Sequence, residues 1–380
     1  MKKYYLMAPG PTPIPPQVLQ AMAQPIIHHR TPAYEALFSE VRDGLKWLFQ
    51  TRSEVVPFAA SGTGAMEAAI VNSLSPGDSA VVVRAGAFGD RWWEACTAFG
   101  IKTLSLEAPY GETVPADRVA ETLRKHPETR AVFCQQSETS TGVLHDVRAY
   151  AEAVRGSKAL LVVDAVSSLG VADLQMDAWG IDMVIAGSQK GLMLPPGLAF
   201  CALGERAMEY AKTAKLPKYY FDFLAELKIA VKNQVRFTPA VSIVVGLREA
   251  LAMLRAEGLA NVFKRHDRLS RACRAGVEGL GLELFAKATP SPAITSVVAP
   301  KGIDGEAVLA TYSKSHNITI AGGQGSAKGK IFRLGHMGYV GEFDVIVALS
   351  ALEQVLFELG HPVDWGASSR SAQKLLAEKS

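Results

Sequence analysis

Ala159-Leu160-Leu161-Val162-Val163-Asp164-Ala165-Val166-Ser167-Ser168 is the run that decides the fold. Apolar residues fill it without polar alternation until a single aspartate closes it. A strand apolar on both sides belongs inside a parallel sheet covered by helices on each face. A carboxylate at its end lies where open α/β sheets gather ligands. Six further apolar runs, 55–60, 80–83, 102–106, 131–135, 183–186 and 198–203, alternate with amphipathic segments around it. The rhythm predicts an α/β fold with a large domain built on a mostly parallel seven-stranded sheet.

Outward from the sheet, Thr31 as N-cap and Pro32 as first helical residue open a helix with Leu37, Val41, Leu45 and Leu48 on one face. Glu40, Arg42 and Asp43 fall on its solvated side. Beyond residue 204 the pattern thins. The Lys/Tyr/Phe-rich stretch 212–232 suits an exposed or interface segment, and 243–280 reads as one long helix with Val244, Leu247, Leu251 and Leu254 in a stripe. Short strands and helices resume at 294–298, 305–313, 318–321, 331–334 and 343–359, enough for a smaller α+β C-terminal domain. The expected division is an N-terminal segment 1–18, a large domain 19–255, a small domain 256–364 and a polar, fraying tail 365–380.

The chain has 380 residues, with 40 Lys+Arg against 37 Asp+Glu, a net charge of +3 that is too balanced for a polyanion binder. A hydrophobic fraction of 48% with 20% charged residues excludes disordered and collagen-like classes. No apolar run approaches the roughly 20 residues of a membrane helix. The N-terminus reaches Pro9-Gly10-Pro11 before an apolar signal core develops, so a cytoplasmic protein is expected. Cys96, Cys134, Cys201 and Cys273 are dispersed and expected to be buried thiols. No Cys/His spacing fits a metal, and the adjacent His28 and His29 cannot share one helical face.

Three features carry chemistry. Ser61-Gly62-Thr63-Gly64 stands between a strand and a helix, where backbone N–H groups can face an anion. A tight turn that needs glycine is the competing explanation. Neither GxGxxG nor a P-loop is present; Gly325-Ser326-Ala327-Lys328-Gly329-Lys330-Ile331 has the wrong spacing and reads as a basic loop. Asp164 would cost several kcal/mol buried without a partner, so a cation or donor should face it, unless it is a cap. Lys190 lies in Ala186-Gly187-Ser188-Gln189-Lys190-Gly191, confined by Pro195-Pro196-Gly197. A desolvated lysine has a lowered pKa and forms Schiff bases with aldehydes. An acid, an amine and an anion-binding turn are the parts pyridoxal phosphate requires.

With Ala8-Pro9-Gly10-Pro11-Thr12, Glu138-Thr139-Ser140-Thr141-Gly142-Val143 and Phe332-Arg333-Leu334-Gly335 added in order, the sequence resembles the class V, fold type I aminotransferases of the alanine/serine:glyoxylate type over nearly its whole length. The resemblance implies that Lys190 is the catalytic lysine and Asp164 the partner of the pyridine nitrogen. It implies Ser61, Gly62, Thr63 and Gln189 at the phosphate, Phe88 stacked on the ring, Val166 on the ring's other face and Thr139 near the ring oxygen. Arg333 would hold the substrate α-carboxylate, whose planar shape suits a guanidinium. Gly10 would approach the substrate from the N-terminal segment, unless its turn is purely structural. Thr238 would reach the phosphate of a partner subunit, implying a homodimer. Val235 stands where some relatives carry a phosphate-binding tyrosine.

The activity so implied is a ping-pong transamination from alanine or serine to glyoxylate or pyruvate. Met193-Leu194-Pro195-Pro196-Gly197 also resembles relatives acting on aspartate, or soluble-hydrogenase-subunit-like proteins. Arg30, Arg84 and Arg236 are the candidates for a distal carboxylate. A cysteine desulfurase would place His before the lysine, where Gln189 stands. A non-catalytic binding protein on the same fold is opposed by intact Asp164, Lys190 and Arg333.

Overall fold

A computed structural model gives the protein's structure and describes residues 2–286 and 288–378. Strands β1 (Glu54–Phe58), β2 (Ser79–Arg84), β3 (Lys102–Glu107), β4 (Ala131–Gln135), β5 (Leu160–Asp164), β6 (Met183–Gly187) and β7 (Ala199–Leu203) form one sheet in the order β1-β7-β6-β5-β4-β2-β3. Each apolar run of the sequence is one of these strands. All ladders are parallel except those of β7, which runs antiparallel to β1 and β6.

Every residue of β5 is buried, because both faces are covered. Leu161 and Val163 pack with helix α1 (Pro32–Leu48) and helix α4 (Val241–Glu257), whereas Leu160 and Val162 pack with α2 (Gly62–Ser73) and α3 (Ala87–Ala98). A strand alternates its side chains between faces, so an unbroken apolar run is what two apolar layers demand.

Thr31 and Pro32 open α1 as expected, but the Thr31 hydroxyl donates to His28 O instead of capping the helix. Arg42 is not simply solvated: it pairs with Glu54 and donates to Ala230 O. The stretch 212–232 joins the core in part, since Phe223 is fully buried and packs with Phe221 against Phe58. The single helix expected over 243–280 is two, α4 and α5 (Leu259–Gly279), because Gly258 adopts φ +80° and turns the chain.

A second, antiparallel sheet has β8 (Ile294–Val298), β9 (Ala321–Gly322) and β10 (Ile331–Gly335) in the order β8-β10-β9. It packs with α5, α6 (Glu342–Glu358) and α7 (Ala367–Ala377) around its own core, which includes Leu269, Val277, Phe332 and Leu352. Tyr5–Leu6 pairs in parallel with Ile318–Thr319, so the N-terminal segment lies along this unit.

Among the described residues the tail does not fray, since Ala367–Ala377 is helical. Helix α7 buries Ala367, Ser368, Ala372 and Leu376, and the buried Glu353 carboxylate accepts the N–H groups of Gly366 and Ser368. Small residues on that face let α7 approach α5 closely, and an acidic side chain at its N-terminus satisfies orphan donors. Among the described residues no helix is long and apolar enough to cross a membrane.

Candidate active site

The parallel strands deliver their C-terminal ends to one edge of the sheet. Asp164 ends β5, and Lys190 follows the end of β6 in the connection to β7. That connection is held by its own hydrogen bonds: Ser188 Oγ donates to Pro195 O at 2.6 Å, and Ser188 N donates to Leu198 O at 2.9 Å. Met193 takes φ +57° within it, and its N–H donates to Lys190 O at 3.0 Å.

The N-terminal Pro-Gly-Pro-Thr turn lies directly on this loop. Thr12 N donates to Gln189 O at 3.2 Å, Thr12 Oγ1 donates to Lys190 O at 3.0 Å, and Lys190 Nζ donates to Pro9 O. At Gly10 a Cβ would lie 2.5 Å from Lys190 Cδ and 2.7 Å from Nζ and would push the end of the lysine aside, and the φ of +119° strains any other residue there.

Burial dominates the electrostatics. It lowers the Lys190 pKa to about 8, Arg333 and Arg91 acting in the same direction and Asp164 against it. Burial raises Asp164 to about 6, helped by Glu138; the Val166 N–H, which donates to Oδ1 at 2.8 Å, opposes the shift together with Arg91 and Lys190. No protein donor meets the other Asp164 oxygen among the described residues. The Val166 N–H is thus one donor of the kind expected to face Asp164, and the other carboxylate oxygen is left for a ligand's protonated nitrogen.

Beside these groups, Ser61 holds the N-cap position of α2 without using its side chain. The first N–H groups of that helix have no partner inside it. At Gly62 a Cβ would lie 2.8 Å from Val166 Cγ2, so the glycine seats Val166 against the helix start. Gln189 Oε1 is buried without a partner among the described residues. Thr63 Oγ1 accepts a long 3.5 Å bond from Arg91, whose guanidinium stacks 4.8 Å from the Phe88 ring. Helix terminus, glutamine amide and hydroxyl form a donor set that fits a phosphate, and Asp164 with Lys190 fits the ring nitrogen and aldehyde of pyridoxal phosphate.

Arg333 occupies the central strand β10 and is buried. Its Nε donates to Gly322 O at 2.7 Å and its Nη1 to Thr139 O at 2.6 Å, so Thr139 meets the site through its carbonyl as well as its hydroxyl, which donates to Ser167 Oγ. Burial lowers the Arg333 pKa to about 10 against the pull of Glu138, leaving it charged at neutral pH. Thr238 is exposed and makes no hydrogen bond to these groups among the described residues.

Glu138 belongs to the site although sequence reasoning assigns it no role of its own. It is fully buried and accepts from Gly89 N at 3.0 Å, Phe88 N at 3.3 Å, Ser140 N at 3.1 Å and Ser140 Oγ at 2.5 Å. It thereby caps α3, whose own N-cap Gly86 has no side chain, and fixes the turn carrying Phe88. The signal that could have found it is an acidic residue three positions past the apolar strand Ala131–Gln135, at the same edge of the sheet as Asp164.

The four cysteines are all buried and unpaired by disulfides. Cys96 has its thiol pushed up to about 12 by burial, which removes it as a nucleophile.

A family model described as "Aminotransferase class-V" matches residues 4–340. The chain is 46% identical to the soluble hydrogenase small subunit of Synechococcus sp. (strain PCC 6716), over 99% of each chain. It is 37% identical to the L-aspartate–glyoxylate aminotransferase of Paracoccus denitrificans, over 97% of this chain and 95% of the other. Among solved structures, the alanine–glyoxylate aminotransferase of Nostoc sp. superposes with a TM-score of 0.89 at 33% identity, covering 94% of this chain and 96% of that one.

Proposed function

The chain belongs to the class-V aminotransferases, and from that premise we propose that it moves an amino group from a small neutral L-amino acid, alanine or serine, to glyoxylate or pyruvate. The enzyme is a pyridoxal-phosphate-dependent transaminase. When bound, the cofactor supplies an aldehyde for the amino group and a ring that accepts electrons.

The residues of the chain divide the remaining work. Asp164, with one oxygen unpartnered, holds the proton at the ring nitrogen. Lys190 Nζ, its pKa lowered to about 8 by burial and its N–H donated to Pro9 O, would take the proton from the substrate Cα and hold it for return to the other end of the exchange. Phe88 and Val166 bound the ring's two faces. Ser61, Gly62, Thr63 and Gln189 hold the phosphate, with Thr139 beside the ring oxygen. Arg333 binds the α-carboxylate, and Gly10 lets the N-terminal segment close over the amine without a side chain in the way.

The observation that carries the donor assignment is the fate of the other arginines. Arg30 donates to Val235 O and Arg236 O, Arg84 is paired with Asp90 and Glu107, and Arg236 donates to Tyr219 O between two aromatic rings. Only Arg84 is neutralised by carboxylates; Arg30 and Arg236 are held by carbonyls of the 219–236 stretch, and among the described residues none of the three hydrogen-bonds to Asp164, Lys190, Thr139 or Arg333, which supports a small neutral donor. A second reading, with aspartate as donor, is favoured by the 37% identity to the Paracoccus enzyme.

The reading includes a homodimer in which Thr238 serves the partner subunit's phosphate site; its exposure supports this. It also includes a cytoplasmic location and the division at 1–18, 19–255, 256–364 and 365–380. That division is supported by the separate cores of the two sheets and by the helix break at Gly258.

The test is the visible spectrum of purified protein with pyridoxal phosphate, recorded before and after L-alanine, L-serine and L-aspartate are added separately. A yellow band bleached by alanine or serine supports the reading. Bleaching by aspartate alone selects the second one, and a protein that stays colourless with added cofactor overturns both.

A further inference from the structure

Arg333 makes no ion pair among the described residues; its partners are the carbonyls of Gly322 and Thr139. Neutral acceptors compensate a buried guanidinium poorly. The acidic group acting on it is Glu138, which sits next to Thr139 in the chain; burial raises the Glu138 pKa, and the four donors that meet its oxygens oppose that shift and favour the carboxylate. That carboxylate is prevented from swinging onto the arginine. Oε1 accepts from Phe88 N, Ser140 N and Ser140 Oγ, and Oε2 accepts from Gly89 N. Gly86 closes another side, because a Cβ there would lie 2.4 Å from the Glu138 carboxyl carbon.

We propose that Glu138 is a positioning residue that acts as the fixed, remote countercharge of Arg333, holding the guanidinium in place while leaving its free edge open to the α-carboxylate of an amino acid or oxoacid. The inference rests on reading Arg333 as the substrate anchor. A carboxylate paired directly with Arg333 would compete with every substrate carboxylate. With no countercharge at all, the buried cation would be drawn toward solvent or other anions. Four donors locking Glu138 in place avoid both outcomes. The turn 138–140 therefore serves the anchor twice, through the Thr139 carbonyl and through the Glu138 charge. Its third contact, to the start of α3, links the anchor to the Phe88 turn.

The experiment uses the pyridoxal-phosphate-loaded enzyme and the variants Glu138→Gln, Glu138→Asp and Ser140→Ala. It reads kcat and KM for the amino donor, inhibition by propionate as a bare carboxylate probe, cofactor affinity by absorbance titration, and Tm. Glu138→Gln is expected to raise KM and the propionate inhibition constant about tenfold or more, with kcat changed less than about threefold and cofactor affinity retained. Glu138→Asp keeps the charge and is expected to keep KM within about twofold, though Tm falls. Ser140→Ala removes one bond to the cap but no charge, so Tm falls and KM holds. Unchanged KM and inhibition in Glu138→Gln would overturn the proposal, as would an equal rise in Ser140→Ala. If Glu138→Gln does not fold, a tenfold KM rise in Glu138→Asp overturns the proposal and an unchanged KM supports it. An Arg333→Lys variant with unchanged KM would overturn the anchor reading and the proposal with it.

Discussion

The Thr12 hydroxyl donates to the Lys190 carbonyl across 3.0 Å, so the loop that carries this lysine is braced by a residue from the far N-terminal segment. The proposed chemistry gives this threonine no step of its own; it holds the peptide that carries the Lys190 amine. Gly338, at φ +75°, packs against the same two atoms, and a Cβ there would lie 2.9 Å from Lys190 O.

Thr12→Val keeps the shape and removes the bond. Stability should fall by about 1 kcal/mol, and kcat by roughly 10- to 100-fold, as expected when a reacting group loses registration. KM should change much less. Steady-state kinetics with a thermal melt on the same preparation checks the split.

Asp164 has a folded pKa of about 6 against an ordinary 3.8. The native cofactor-free protein thus binds the proton more tightly than the unfolded chain. The carboxylate costs stability above pH 6, and the cost shrinks as pH falls, vanishing below the unfolded value. A tenfold difference in proton affinity between the two states corresponds to ~1.4 kcal/mol, so Asp164→Asn should stabilise cofactor-free protein by about 2–3 kcal/mol at pH 8 and by little near pH 4. Activity should drop by roughly 10²-fold or more. Urea unfolding at the two pH values measures the first effect.

His266 is fully buried; its Nε2 accepts the Gly338 N–H at 3.0 Å, and burial lowers its pKa to about 3. The unfolded chain takes up a proton below the ordinary 6.5 while the native one does not, so this group's contribution to stability is lost progressively as pH falls from 6.5 toward 3. His336, at about 3, and His145, at about 4, act in the same sense. His266→Asn should reduce the number of protons taken up on unfolding between pH 6 and 4 by about one. An unchanged pH dependence of the urea midpoint would show that His266 already titrates in the native state.

Glu353 holds the start of α7 through Gly366 N at 2.8 Å, Ser368 N at 3.0 Å and Ser368 Oγ at 2.5 Å. Glu353→Ala leaves buried donors unmet and should cost about 2–4 kcal/mol. Limited proteolysis should then cut near residue 366 faster than in the parent protein, and activity per folded molecule should be preserved.

The sheet is legible because its strands are buried on both faces, and continuous apolar runs mark such strands in any order. Their spatial order is not, since nothing in 198–203 tells that β7 inserts antiparallel between β1 and β6. Asp164 and Lys190 can be read from their placement after strands. Phe88, Thr139 and Arg333 can be read only through resemblance, because aromatic, hydroxyl and basic side chains are ordinary on a surface or in a core. Glu138 escapes because the bonds that tie it to the site go to backbone N–H groups at the start of a distant helix, which leave no side-chain pattern. The helix over 367–377 escapes because its polar residues outnumber the few small ones that meet α5.

The bond from Thr12 to Lys190 spans 178 positions, and Tyr5 finds its strand partner only at Ile318. Synthesis on the ribosome runs from the N-terminus, so the segment that braces the lysine is the first to emerge and among the last to find its place. A nascent chain released after β7 would hold every strand of the large sheet and still lack both Arg333 and the partner strand that aligns Pro9, Gly10 and Thr12. On the proposed reading catalytic competence therefore arrives late, with the second unit, since a chain ended after β7 lacks Arg333, the partner strand of Tyr5 and helix α4, which covers one face of the sheet.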